Sequence, residues 1–273
     1  MAKIVTDRPS DFVDYLTSPG LPINNMDIPL KQYLCSVPSF GGNDEAALVI
    51  GLVNRKVFMD DATQTKISSQ TTSIGRMTTG QGYPNDIMLF MTHIADNIDK
   101  VRALPELKNK SYIRDPNLST EDILNKMVAQ KVFGLDCIGF ISQYLVYTGI
   151  WDAYKTYYPK DYTREFTPIR TLSEIERLCL VIWDNYHIGI INNVQSLDTN
   201  SGLCVVDICQ SSSLKTGATG PQTNIGVSLR KSSSASYLGH QKFDIVGRGT
   251  PAMPVSSPVY ICKMPDLVWQ VDM

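Results

Sequence analysis

The apolar positions change their period part-way along the chain. In "NDIMLFMTHIADNIDKVRAL" (85–104), Ile87, Phe90, Met91, Ile94 and Ile98 recur at spacings of three and four, which predicts an amphipathic helix. "NLSTEDILNKMVAQKV" predicts a second over about 120–131. Ser119 or Thr120 serves as its cap, acids fill its first turn, and Ile123, Leu124, Met127 and Val128 form its stripe. "CIGFISQYLVYTG" resumes the helical spacing from Cys137 after a "GLD" break. The pattern then turns to short strands. "LCLVIW" (178–183) and "YHIGIIN" (186–192) flank a two-residue "DN" break and predict a hairpin, and "LCVVDICQ" (203–210) is a third strand. "GVSLRK", "FDIVGRG" and "VYICKM" are further strands. Three polar stretches read as loops: 61–85 (loop or hairpin), "VQSLDTNSG" and "SSSLKTGATGPQTN".

Helices first and an antiparallel sheet afterwards describe an α+β fold. Residues 1–115 form a mostly helical N-terminal extension or subdomain, and 116–273 the core. Length and composition agree: 273 residues, 43% hydrophobic and 19% charged, bury a sizeable core in one large or two smaller domains. The net charge of −2 provides no basic field for nucleic acid or anionic lipid. No apolar run reaches the length of a membrane span. At the N-terminus, Asp7, Arg8, Asp11 and Asp14 stand where a signal peptide would be apolar, so synthesis in a cytoplasm without general secretory export is expected. The cysteines (35, 137, 179, 204, 209 and 262) include no C-x-x-C pair, so neither a zinc site nor a disulfide framework is expected, and no cofactor is implied.

One cysteine stands apart. Cys137 opens a helix, where free N–H groups and the positive end of the helix dipole favour a thiolate. A nucleophilic thiolate also needs a base. Of His93, His187 and His240, only His187 sits at the entry to a strand, which would hold its imidazole on a rigid element. His93 falls in an apolar stripe and reads as a core or surface residue; His240, in the polar "LGHQK", reads as solvated. A third group should orient the imidazole from its far nitrogen. The end of "LCVVDICQ" offers Gln210, with Asp207 as its rival; three positions apart, the two face opposite sides of a strand. Cys204 and Cys209 lie within that strand, away from any helix dipole, and read as inert. Asp136 reads as a cap for the helix that Cys137 opens. The tyrosines at 154, 157, 158 and 162 line a cleft or pack on the sheet.

"GLDCIGFI" resembles the D-C-S-G-F-V motif of the NlpC/P60 cysteine peptidases, and "HIGIIN" resembles their H-V-G-I-Y motif. The order matches as well: a helix with the cysteine, a strand with the histidine, then a strand with a polar third residue, for which "CQSSS" offers Gln210. The resemblance covers about 120–215. It implies a papain-like core, with N-terminal helices packed on an antiparallel sheet or half-barrel, and a thiol hydrolase in which Cys137 attacks an amide carbonyl, His187 carries the proton and Gln210 orients the imidazole. Family members mostly cut amides of bacterial peptidoglycan. With no export signal in the chain, the resemblance points to an antibacterial effector injected into a target periplasm by a contact-dependent machine such as the type VI system. Its partners would be a peptidoglycan peptide, an immunity protein and a component of the secretion apparatus. The alternatives from other classes are a cytosolic hydrolase or acyltransferase on a peptide, lipid or protein amide, and an inert binding module of the same fold.

Overall fold

The computed structural model describes residues 3–32, 34, 44–58, 71–152, 155, 157–183, 187–213, 219–233, 240–246, 258–264 and 267–269. Cys35 and Tyr154 lie outside the described residues. In chain order the elements are β1 (Lys3–Val5), α1 (Pro9–Thr17), β2 (Leu21–Ile23), β3 (Met26–Ile28), α2 (Asp44–Lys56), α3 (Thr71–Thr78), α4 (Pro84–Asp96), α5 (Ile98–Arg102), α6 (Thr120–Ala129), α7 (Cys137–Tyr147), α8 (Pro159–Glu165), β4 (Thr167–Pro168), β5 (Leu180–Trp183), β6 (His187–Asp198), β7 (Leu203–Ser213), β8 (Thr219–Lys231), β9 (Lys242–Ile245), β10 (Val259–Lys263) and β11 (Leu267–Trp269). The fold is α+β. It divides into one unit of residues 1–13, 140–218 and 222–273 and another of residues 14–139 and 219–221. The boundary expected near 115 falls inside the second.

The first unit is built on a closed antiparallel barrel. Its strands run β10–β5–β6–β7–β8–β9 and return to β10, which pairs with β5 on one edge and with β9 and β4 on the other. The sheet is therefore closed, not an open half-barrel. Val181 and Trp183 of β5, Val206 and Ile208 of β7, Phe243 and Ile245 of β9, and Val259 and Ile261 of β10 alternate along their strands into one buried cluster. Helix α8 lies against β4, β5 and β10, and Ser142 of α7 bonds the buried Tyr162 hydroxyl of α8 at 3.1 Å. Phe12 packs on Phe140 and Tyr144 of α7, with ring centroids 5.6 and 5.9 Å apart.

In the second unit, Ser119 and Asp122 form a reciprocal capping box on α6, and Ile123, Leu124, Met127 and Val128 are buried as their spacing requires. Helix α4 starts on Pro84 and buries Ile87, Phe90, Met91 and Ile94. It lies against β2, and α6 lies against β3. Glu45 of α2 accepts hydrogen bonds from Lys110 and Tyr112, tying that helix to the turns after α5.

Three polar segments differ from expectation. "VQSLD" continues β6 as far as Asp198, and the turn is confined to residues 199–202. Gln195 to Asp198 are exposed there, so their polarity reports solvent on the strand and not a break in pairing. Most of "SSSLKTGATGPQTN" belongs to β7 and β8; its residues 214–218 lie outside the described set. Residues 71–78 form helix α3, although Thr, Ser and Gly are weak helix formers. Burial of Met77 supplies the tertiary contact that propensity lacks. Among the described residues no helix is long and apolar enough to cross a membrane.

Candidate active site

His187 is the first residue of β6 and pairs with Trp183 across the hairpin; their rings lie 5.1 Å apart. Its Nε2 is 2.6 Å from Oε1 of Gln210 on β7. An amide oxygen only accepts, so Nε2 carries the proton and donates, and the lone pair falls on Nδ1. The amide is itself oriented, since Gln210 Nε2 donates to Ser212 Oγ at 3.3 Å. Register explains the reach. Ile190 pairs with Cys209 and Ile191 with Ile208. One step further sets Gly189 opposite Gln210, with His187 diagonal to it on the same face. A Cβ at Gly189 would stand 2.7 Å from Ile208 Cγ2 and 3.5 Å from Gln210 Cβ, so glycine keeps the gap between imidazole and amide open. Gln210 is fully buried. His187 retains some surface, but desolvation pushes its pKa down to about 4, against the opposing pull of the Gln210 bond. The group is a neutral imidazole with its tautomer fixed, the form that accepts a proton at Nδ1.

Asp207 is not part of this arrangement. It pairs with Asn193, and its carboxylate accepts from Gln195 Nε2 at 2.6 Å. Of the two candidates for orienting His187, Gln210 makes the bond.

Cys137 is the first residue of α7 and is buried. Asp136 precedes it as the helix cap: its Oδ1 accepts the Gly139 N–H, three residues on. Gln81 Nε2 donates to Asp136 Oδ2 at 3.2 Å. The backbone of this segment is held from both sides. Leu135 N–H donates to Gln32 O at 3.1 Å, and Asp136 N–H donates to Gly80 O at 2.9 Å. Gly80 and Gln81 close α3: Gly80 has φ +79, Gln81 N–H returns to Arg76 O at 2.8 Å and Gly80 N–H to Met77 O at 3.3 Å. That is a Schellman turn, and its left-handed position requires glycine. Gly139 must also be glycine, because a Cβ there would meet Gly80 O at 2.1 Å. Burial pushes the Asp136 carboxyl up to about 7, with the bonds from Gly139, Gln81 and Ile138 opposing. Gly80 and Gln81 carry one signal in the sequence, the glycine of "TTGQG", which has meaning only once 71–78 is known to be a helix; Ser212 stands two residues after Gln210 in "CQSSS".

The remaining candidates make other contacts. His240 is buried at 4% exposure and not solvated as expected. It packs edge-on to Tyr260, contacts the Thr163 backbone, and lies 3.7 Å from Cys262 Sγ. Desolvation pushes that thiol up to about 12, so the sulfur beside His240 stays protonated. Cys204 and Cys209 are buried in β7, and Cys209 Sγ is 3.4 Å from Thr223 Oγ1. His93 packs on Phe58 at 5.3 Å. Tyr157 and Tyr162 join Trp151 in an aromatic cluster, while Tyr158 is exposed. Among the described residues no group of three or more His, Cys, Asp or Glu side chains is arranged to hold a metal. Comparison of the chain with protein-family models, curated proteins and solved structures finds no match.

Proposed function

We propose that the chain is a cysteine hydrolase of amide bonds, with Cys137 as nucleophile, His187 as general base and acid, and Gln210 as the residue that orients the imidazole. The observation that carries this reading is the 2.6 Å bond from His187 Nε2 to the buried Gln210 amide, which leaves Nδ1 as the basic atom. A buried amide holding one imidazole tautomer serves proton transfer. The resemblance of "GLDCIGFI" and "HIGIIN" to the NlpC/P60 motifs supports the same roles and the papain-like assignment of the core.

In the reaction, Nδ1 of His187 takes the Cys137 thiol proton and the thiolate attacks the amide carbonyl carbon. The tetrahedral intermediate collapses with loss of the C–N bond, and Nδ1–H protonates the leaving amine. Water then adds to the thioester, giving its proton to Nδ1; the carboxylic acid leaves and the thiol is restored. Throughout, Nε2–H stays on Gln210. The imidazolium formed part-way is a desolvated cation, offset by the thiolate charge that forms with it.

The substrate class that fits the motifs is the peptidoglycan stem peptide, cut between D-γ-glutamyl and diamino acid residues, with the protein acting as an antibacterial effector. Mass spectrometry of purified peptidoglycan digested by wild type and Cys137→Ala tests substrate and nucleophile together. New stem-peptide termini with wild type only are expected; identical fragment patterns would sink the substrate assignment. A periplasm-directed form should be toxic, and survival of cells making it folded overturns the effector role. A Cys137 thiol with an ordinary value near 8.5 and no labelling by iodoacetamide at pH 6 would favour an inert binding module of the same fold.

A further inference from the structure

The Schellman turn after α3 touches the nucleophile's helix with three different groups. Gly80 O accepts the Asp136 N–H, Gln81 Nε2 donates to the Asp136 carboxylate, and the Gly80 peptide fills the space that a side chain at 139 would occupy. Only the second is a side-chain bond, and it ends on the carboxyl adjacent to Cys137. That carboxyl caps the helix by accepting the Gly139 N–H, so any negative charge on it opposes a thiolate at the next residue.

We propose that Gln81 is a positioning residue for Cys137, acting through Asp136: its amide fixes the carboxyl and thereby the charge that the helix start presents to the sulfur. This rests on the reading of Cys137 as nucleophile. Among the described residues, the groups that bond the Asp136 carboxyl are Gln81 from the turn and the Ile138 and Gly139 amides. The charge that α3 carries beside the turn, Arg76, has its guanidinium over the Tyr83 ring, 5.7 Å from its centroid. Burial brings the Asp136 ionisation close to neutrality, so a change of partner at position 81 alters its charge in the range where the thiol works.

The test is the pH dependence of Cys137 alkylation by iodoacetamide, mapped by mass spectrometry, in full-length wild type, Gln81→Glu, Asp136→Asn and the double variant, each with a melting curve. Gln81→Glu sets a second carboxyl against Asp136 and should raise the alkylation midpoint by about one pH unit, roughly a tenfold loss of rate below it. Asp136→Asn removes the charge and should lower the midpoint. The double variant restores one carboxyl and one amide and should return it to within about 0.3 units of wild type. A merely structural strap predicts something else: both single variants lose melting temperature and reactivity together, with no opposed shift. Unmoved midpoints in folded variants, shifts of the same sign, or a double variant that behaves like Gln81→Glu overturn the proposal. A wild-type midpoint near 8.5 instead overturns the nucleophile reading, so the two failures are distinguishable.

Discussion

The two halves of the candidate chemistry are held by different kinds of structure. His187 and Gln210 stand on neighbouring strands of one hairpin, and ladder register brings their side chains together. Cys137 stands where a helix begins, and the peptide before it is held by Gln32 and by the turn at Gly80, both distant in sequence. The first arrangement is local and repeats the strand period. The second is assembled from three separate segments and depends on backbone atoms. A hairpin site therefore tolerates change in its surroundings as long as register holds, whereas the helix start depends on two glycines that no other residue replaces.

This contrast makes predictions of decreasing size. Removing the reacting atoms comes first: Cys137→Ala or His187→Ala should lower amide hydrolysis at least about a thousandfold in steady-state assays while leaving circular dichroism unchanged. Residual activity within tenfold of wild type would place the chemistry elsewhere. Next are the glycines. Alanine at 139 drives a Cβ to 2.1 Å from a backbone oxygen, whereas alanine at 189 meets a methyl of Ile208 at 2.7 Å, which can turn aside. Urea unfolding should show a loss of about 3 kcal/mol for Gly139→Ala and about 1 kcal/mol for Gly189→Ala; equal losses would erase the distinction drawn between the two regions.

A smaller effect belongs to the orienting amide. Gln210→Ala should lower kcat about 10- to 100-fold with KM nearly unchanged, and Gln210→Glu should recover part of the loss. An effect on KM alone would make Gln210 a substrate contact. The smallest effects are on stability against pH, and they have opposite signs in the two regions. His187 titrates near 4 when folded and about 6.5 when unfolded, so its contribution is complete above 6.5 and is lost as pH falls toward 4. Asp136 titrates near 7 when folded and 3.8 when unfolded, so its contribution is complete below 3.8 and is lost as pH rises through 7. Relative to wild type, His187→Gln should thus gain urea resistance on acidification, and Asp136→Asn should gain it as pH rises from about 4 to 7. Parallel trends would show that one of the two groups is solvated.

The strand half of the site was legible because its signals are periodic. "YHIGIIN" and "LCVVDICQ" announced adjacent strands, and the pleat rule separated Asp207 from Gln210. Asp136 was legible as a cap because capping is a three-residue pattern. The cradle of Cys137 was not, for two reasons. Its supports are carbonyl groups of Gln32 and Gly80, which every residue type possesses. In addition, α3 is stabilised by packing and not by propensity, so "TTSIGRMT" read as loop and hid the turn that follows it. The polar end of β6 misled in the same way, since exposure and not backbone conformation set its composition. His240 shows the converse: "LGHQK" looks wet, but Tyr260 and Cys262 enclose its ring.

Strand β10 has a further consequence, for folding kinetics. It is the piece that joins β5 to β9, so until residues 259–263 have been synthesised both of those strands present open hydrogen-bonding edges. The hairpin bearing His187 and Gln210 is of low contact order and forms early; barrel closure couples residues far apart in sequence and comes last. A nascent chain would thus carry its base and orienting amide on an unsealed sheet, aggregation-prone and awaiting one short strand.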